Sequence, residues 1–443
     1  MAGGIFYSQN KIRPGAYINF KRHDEELELK GTRGIVTVGL DLAWGADDTL
    51  IEVSASDMTN GQSLAKVGLM SSDAEAKILN LILANANIAK VYKLNKGGQK
   101  ASGTVGSNLK VTAKHAGTFG NKIAILVTQD GTVFEVNTYA NGYLVDTQRV
   151  MAITDLENNA FVEFSGEGEL EEIAVSQLLT GGVDAETTAT TAYNAMFELL
   201  KMSKWNTLAI ANNAEAINPL VTNFIRMMRD NEGKYVQAVV ANMEEADYEG
   251  IINNVNGAVI NGVEVSAVEF TAYVAGITAG ASAVESNTGK VVEGATKIVG
   301  QLTNDEIITA LKTGKFVLST NQDGRIKVEQ DINSLHTYED LSYNFTKNRV
   351  IRVLDEIGSS IQSIWENTFL GKVSNNADGR DLFKATIITY LQGLQNSGAI
   401  QNFGGSDDVE VEAGDNIDAV IANIKVQPVD SMEFLYLTVN VID

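Results

Sequence analysis

The sequence predicts an α/β core, α+β overall, interrupted by an inserted, mainly antiparallel β domain and flanked by strand arms at both ends. Three observations predict it. Strand-like and amphipathic helical runs alternate on both sides of the stretch 97–182. That stretch carries β-patterned segments separated by Gly, Asn and Asp turns, and the chain opens and closes on strand-like runs with few local partners.

In chain order, residues 1–32 show no helical period. After the turn signal Arg13-Pro14-Gly15, Ala16, Ile18 and Phe20 alternate with Tyr17 and Asn19, a short strand within an N-terminal arm. Charged residues crowd His23 to Lys30, and the β-branched run from Gly31 to Leu40 opens the core. Ser72 and Glu75 have capping-box spacing ahead of a helical face of Ile78, Leu79, Ile82, Leu83 and Ala86, and Ala89 to Leu94 reads as the next strand. After the β-rich insertion the rhythm resumes past Gly181-Gly182. A helix through Tyr193, Met196, Phe197 and Leu200 leads to a strand at Thr207 to Ala211. Asn218 and Pro219 then occupy N-cap and N1 positions of a helix carrying Leu220, Phe224, Met227 and Met228, and Tyr235 to Ala241 makes another buried strand. Parallel pairing is the default for such crossovers.

Past Leu341, Val350, Val353, Leu354, Ile357, Ile361, Ile364, Trp365 and Phe369 fall at spacings of three and four, which marks a long helix. A second, capped by Asp378 or Asp381, presents Phe383, Ile387, Leu391 and Leu394. An acidic, turn-rich segment, Gly404 to Asp418, leads to Val420 to Val426 and to a terminal strand at Phe434 to Val441. The expected divisions are an arm over 1–32, an α/β core over 33–96 and 183–340, the insertion over 97–182, a C-terminal domain over 341–429 and a strand arm over 430–443.

Composition narrows the function classes. Lys and Arg number 34 against 56 Asp and Glu, and a net charge of −22 repels a phosphate backbone, so no direct nucleic-acid partner is expected. The absence of cysteine removes disulfides, thiolate nucleophiles and Cys-ligated metals. The N-terminus lacks a secretory pattern and no run approaches the roughly 20 apolar residues of a membrane span, so membrane insertion is not expected and the product reads as cytoplasmic when made.

Searches for chemistry return turns and solvated charge. Gly117 to Lys122 lacks phosphate-loop spacing, and Gly166 and Gly168 lack the third glycine of a dinucleotide fingerprint. His23, His115 and His336 are far apart in sequence, and Asn321, Asp323 and Gly324 miss the calcium-loop register. Pairs such as Glu171 and Glu172, or Asp407 and Asp408, read as solvated faces. No catalytic, cofactor-binding or metal-binding residue is expected, and no cofactor.

Three segments together resemble the contractile tail sheath family of myophages and phage-tail-like bacteriocins. They are Ile12 to Phe20 (IRPGAYINF) with Gly31-Thr32-Arg33-Gly34; Ala113 to Val127 (AKHAGTFGNKIAILV), rejoining the core through Leu179 to Gly182; and the block of Asn348 to Phe369 and Gly379 to Phe403, followed by a paired strand and a terminal strand. Their order spans essentially the whole chain, and its compactness looks most like sheaths from Gram-positive hosts. Gly262 to Gly280 departs from the pattern, matching only at Tyr273 to Gly276, and is read as a loop.

The resemblance implies a homo-oligomer of hexameric rings stacked helically around an inner tail tube protein, contracting to drive the tube through a target cell envelope. It also implies baseplate and tail terminator proteins as partners, a place in a virion or tail-like particle, and assembly in the bacterial cytoplasm. Arms passed between subunits would use Ala16, Tyr17, Ile18 and Phe20 at one end and Phe434, Leu435, Tyr436, Leu437, Val439 and Val441 at the other. An acidic α/β enzyme with a site scattered in sequence, or another tail or baseplate component, are the alternatives; a pocket with convergent titratable groups would favour the enzyme.

Overall fold

A strand that is apolar on both faces must be covered on both, which is what helices do to a parallel sheet. The computed structural model describes residues 2–4, 15–17, 33–186, 188–211, 217–338 and 341–442. Residues Met1–Gly31 form a unit of their own, in which Ala2–Gly4 pairs in parallel with Gly15–Tyr17.

In the second unit, Thr32–Asp443, the central sheet has seven strands. Their order is Lys315–Phe316, Ile251–Asn254, Gln237–Ala241, Thr207–Ala209, Ile35–Leu40, Ile88–Lys93 and Leu50–Ser54. Every ladder is parallel except that between Leu50–Ser54 and Ile88–Lys93. Alternate residues divide between two cores. Val38, Val91, Ala209, Val239 and Ile252 face the helices Lys77–Leu83 and Ala267–Gly280, whereas Leu208, Ile210, Ala238, Val240 and Ile251 face Ala189–Lys201 and Ile217–Arg226.

The β-rich region forms two antiparallel sheets. One has the order Tyr143–Val150, Val133–Ala140, Ile123–Asp130, Gln177–Leu178; the other is Val162–Ser165, Leu109–Ala116, Lys100–Val105. Between them lies a core of Val111, Phe119, Ile123, Ile125 and Phe161 that also takes in Trp44 and Leu64 from the α/β part. Trp44 is fully buried, its Nε1 donates to the Ala65 carbonyl at 2.9 Å, and its ring lies 4.9 Å from His115, 5.2 Å from Phe119 and 6.1 Å from Phe161. One tryptophan thus fastens the sandwich to the sheet by apolar burial and aromatic packing.

Several local expectations are corrected. Gly262–Gly280 is not a loop: Val263–Val265 is a strand and Ala267–Gly280 a helix, begun by a capping box between Ser266 and Glu269. Every residue from Phe270 to Ala279 is buried, so the helix has no polar face and no amphipathic period to read. Ser72 and Glu75 do not cap; the Asp73 carboxylate accepts from the Met70 N–H at 2.7 Å instead. Ile217 already belongs to its helix, which puts Asn218 and Pro219 inside the first turn. Asn376, not Asp378 or Asp381, caps Ala377–Asn396, its Oδ1 accepting from the Gly379 N–H at 2.8 Å.

The buried helix approaches its neighbour through small residues. A Cβ at Gly276 would lie 2.7 Å from the Ile82 carbonyl oxygen, and one at Gly280 would lie 2.0 Å from that of Asn85. Gly→Ala in a helix interior ordinarily stabilises by roughly 1 kcal/mol. Here Gly276→Ala is expected to reverse that sign and cost about 1–3 kcal/mol through overpacking; a thermal midpoint at or above wild type would show that the helices can separate freely.

Candidate assembly site

Asn348, Arg352 and Asp355 recur at spacings of four and three and therefore share one face of the helix Asn348–Ile364. All three are buried against the α/β core. Arg352 Nη2 donates to Asp331 Oδ2 at 2.8 Å and to the Glu285 carbonyl at 2.7 Å, with both ion-pair side chains 1% exposed. Asn348 Nδ2 donates to Asp331 Oδ1 at 2.9 Å, and Gln237 Nε2 donates to Asn348 Oδ1 at 3.2 Å. Asp355 receives both terminal nitrogens of Arg229, at 2.8 and 3.0 Å. Burial alone would raise the Asp331 pKa, but the Arg352 charge, the Asn287 N–H and the Asn348 amide together hold it below the usual carboxylate range.

One residue before this helix stands Lys347, whose Nζ lies 2.5 Å from Glu433 Oε2. Burial opposes its charge, yet Glu433 outweighs that and holds the ammonium pKa above its ordinary value. Upstream of Glu433, Gln427–Pro428 pairs with Ile400–Gln401 and the Val429 N–H donates to the Ala399 carbonyl at 3.0 Å. Downstream, everything changes. Phe434 is 65% exposed, Tyr436 93%, Leu437 74% and Val441 88%, and residues 434–442 form no strand with any described residue. The expected terminal strand is therefore not formed within a single chain: among the described residues no strand edge pairs with it.

The acidic segment is not a free loop either. Val409–Ala413 pairs antiparallel with Val420–Ile424 in a two-stranded hairpin that packs on Ala377–Asn396, with only Val409 fully buried and Ile421 47% exposed. Beside it, a groove of about 430 Å³ is lined by Trp365, Phe369, Phe383, Ile417 and Val420. Its charged lining residues are Arg380, which donates to Asn375 Oδ1 at 2.9 Å, and Asp418, so titratable groups do not converge there. His115 packs edge-on to Trp44, its pKa pushed down to about 4 by burial and then by Lys114, Lys93 and Lys100. His336 instead donates its backbone N–H to Asp247 at 2.8 Å. Among the described residues no group of His, Asp and Glu side chains is placed to hold a metal, and no helix is long and apolar enough to cross a membrane.

Three family models match consecutive stretches: the phage tail sheath β-sandwich domain over 96–184, the sheath central domain over 186–334 and the sheath C-terminal domain over 340–442. A sheath tail protein from Desulfitobacterium hafniense is 39% identical, with 94% of this chain and 97% of that one covered at a TM-score of 0.82. The chain belongs to the phage tail sheath family. A sheath tail protein from Listeria innocua is 33% identical over 91% of this chain and 93% of its own, at a TM-score of 0.79. The helical sheath of the anti-feeding prophage in its contracted state shares the fold at 12% identity, covering 97% of this chain and 99% of that one with a TM-score of 0.56. The protein is thus a structural tail sheath subunit, a component of a phage or tail-like particle.

Of the sheath residues singled out from sequence, Ala16 and Tyr17 lie in the paired strand Gly15–Tyr17, while Ile18 and Phe20 lie outside the described residues. Phe434, Leu435, Tyr436, Leu437, Val439 and Val441 all lie on the exposed C-terminal segment. Sequence reasoning missed Asn348, Arg352, Asp355, Lys347 and Glu433. The spacing of the first three was available, but charges at helical spacing ordinarily mark a solvated face.

Asp331→Asn should cost about 3–5 kcal/mol at pH 7, because it leaves a buried guanidinium without its counter-charge. The native pKa of Asp331 lies below its unfolded value of about 3.9, so its contribution is complete above that pH and is lost as pH falls through the native value. Thermal unfolding from pH 7 to pH 3 should therefore show the gap between wild type and variant narrowing below about pH 4. A gap independent of pH would exclude the carboxylate as its source.

Proposed function

We propose that this sheath subunit polymerises as stacked hexameric rings around an inner tube, and that the sheath contracts to drive the tube through a target cell envelope. The observation that carries the reading is the stretch 434–442, whose large apolar side chains stand in solvent on a backbone with no ladder of its own. Fully burying a side chain of this size contributes about 1.5–3 kcal/mol. A strand added to a neighbour's open edge also satisfies its N–H and C=O groups. The hairpin Val409–Ala413 and Val420–Ile424, which among the described residues pairs only with itself, offers such edges.

In this reading Phe434, Leu435, Tyr436, Leu437, Val439 and Val441 form the outgoing C-terminal arm, and Ala16, Tyr17, Ile18 and Phe20 belong to the N-terminal one. The bodies are the α/β core (33–96 and 183–340), the inserted sandwich (97–182) and the C-terminal domain (341–429). Contraction is a passage between two lattices of the same subunits, driven by the lower free energy of intersubunit packing in the second, with the arms keeping rings joined throughout. Inner tube, baseplate and tail terminator proteins complete the particle, which assembles in the bacterial cytoplasm.

Deleting residues 434–443 tests the arm directly. The truncated chain is expected to keep the thermal midpoint of the full-length monomer and to sediment as a monomer, with no tubes in electron micrographs. Sheaths formed by the truncated chain would remove the C-terminal segment as a connector, and an unfolded monomer would show that it completes its own subunit.

A further inference from the structure

The change at Glu433 is abrupt. Its side chain is 5% exposed, whereas Met432 before it and Phe434 after it stand in solvent. Both carboxylate oxygens are used. Oε2 accepts from Lys347 Nζ at 2.5 Å and from Gln330 Nε2 at 3.1 Å; Oε1 accepts from Thr288 Oγ1 at 2.7 Å and from Ser431 Oγ at 3.4 Å. A solvated acidic residue in a terminal tail gathers no such set, and a buried carboxylate is tolerable only because a charge and hydrogen bonds meet it.

The partners point one way. Thr288 Oγ1, while donating to Glu433, accepts from the Asp331 N–H at 2.8 Å, and Asp331 is the carboxylate that holds Arg352. Lys347 immediately precedes the helix Asn348–Ile364, and its neighbour Asn348 donates its N–H to the Asp331 carbonyl at 3.0 Å. Glu433 is therefore wired at one step to the core segment 288–331 and to the start of the long helix, at the place where those two bodies meet.

We propose that Glu433 is the anchoring residue of the C-terminal arm. It fixes the point and direction from which residues 434–443 leave the subunit, and it delivers a pull on the arm to the junction of core and long helix instead of letting residues 427–432 peel away. This rests on the arm reading above and adds to it a device for which that reading has no need: an arm could join subunits from a frayed root.

The test compares full-length wild type with Glu433→Gln, which keeps shape but removes the charge, and with Lys347→Met, which removes the opposite charge and leaves the carboxylate. Amide hydrogen exchange is read on the unassembled chains, and sheath yield by sedimentation and microscopy. Both variants are expected to accelerate exchange over 427–433 by tenfold or more, to leave exchange in the central strands 207–209 and 237–241 unchanged, and to lower the yield of regular sheath by a similar factor. Wild-type exchange over 427–433, or wild-type sheath yield, in either folded variant would overturn the anchor. If one variant fails to fold, the other decides; if both do, Thr288→Val, which removes one bond from Glu433 and no charge, is read in the same way. Sheath formed without residues 434–443 would defeat the arm reading. Loss of sheath on that deletion, with normal sheath from Glu433→Gln, would defeat the anchor alone.

Discussion

Arg352 and Asp331 meet at 2.8 Å where neither can reach solvent, and the C-terminal domain is positioned by that meeting. Removing two ions from water costs several kcal/mol for each, so the pair contributes little net stability compared with an apolar filling of the same volume. Its effect lies in the asymmetry. Any arrangement that parts the two leaves a buried charge without a partner, a penalty of about 3–5 kcal/mol. The helix Asn348–Ile364 thus has one seat on the core, with Asn348 and Asp355 on the same face engaging Asp331 and Arg229 as further points of register. If neighbours pull on the subunit as proposed, a junction that tolerates one geometry matters more than a junction of maximal stability.

The other two junctions use different physics. Trp44 joins the sandwich to the sheet by filling a space between them and satisfying its single N–H on Ala65. Gly276 and Gly280 join the buried helix to the last turn of Lys77–Leu83 and the residues just after it by absence of bulk. Apolar filling and close approach both degrade gradually when side chains shift, whereas the ion pair does not. Among the described residues, the buried ion pairs Arg352–Asp331 and Arg229–Asp355 both lie between the core and the helix Asn348–Ile364.

What could be read from sequence followed from how each element is solvated. Half-exposed helices such as Ala189–Lys201 show Tyr193, Met196, Phe197 and Leu200 on one face, and strands buried on both faces show as short β-branched runs. Elements with a single environment leave no period. The helix Ala267–Gly280 is apolar all round and passed for a loop, although Ser266 and Glu269 had the spacing of a cap. Caps were misplaced by a residue or two because Ser, Asp and Asn cluster at these boundaries and only geometry selects among Asn376, Asp378 and Asp381. Glu433 was invisible for a further reason: its partners Lys347, Thr288 and Gln330 are distant in sequence, and a lone acid in an apolar tail reads as a solubilising charge. The apolar tail itself was legible from its composition, but whether it pairs within its own chain was not.

That last distinction bears on how a sheath of this kind could hold together and still move. Ordering an extended residue costs about 1–2 kcal/mol in backbone entropy, while burying a large apolar side chain returns about 1.5–3 kcal/mol. Seven of the nine residues from Phe434 to Ile442 are large and apolar, so the two sums are comparable and one arm on one neighbour would bind weakly from free solution. Tethering changes the arithmetic. Once two subunits touch elsewhere, an arm leaving from a fixed root meets its edge at an effective concentration set by its short reach, and avidity rises without a new contact. In the proposed lattice, an arm of this composition would bind weakly when free and yet stay engaged while the bodies it connects change their arrangement.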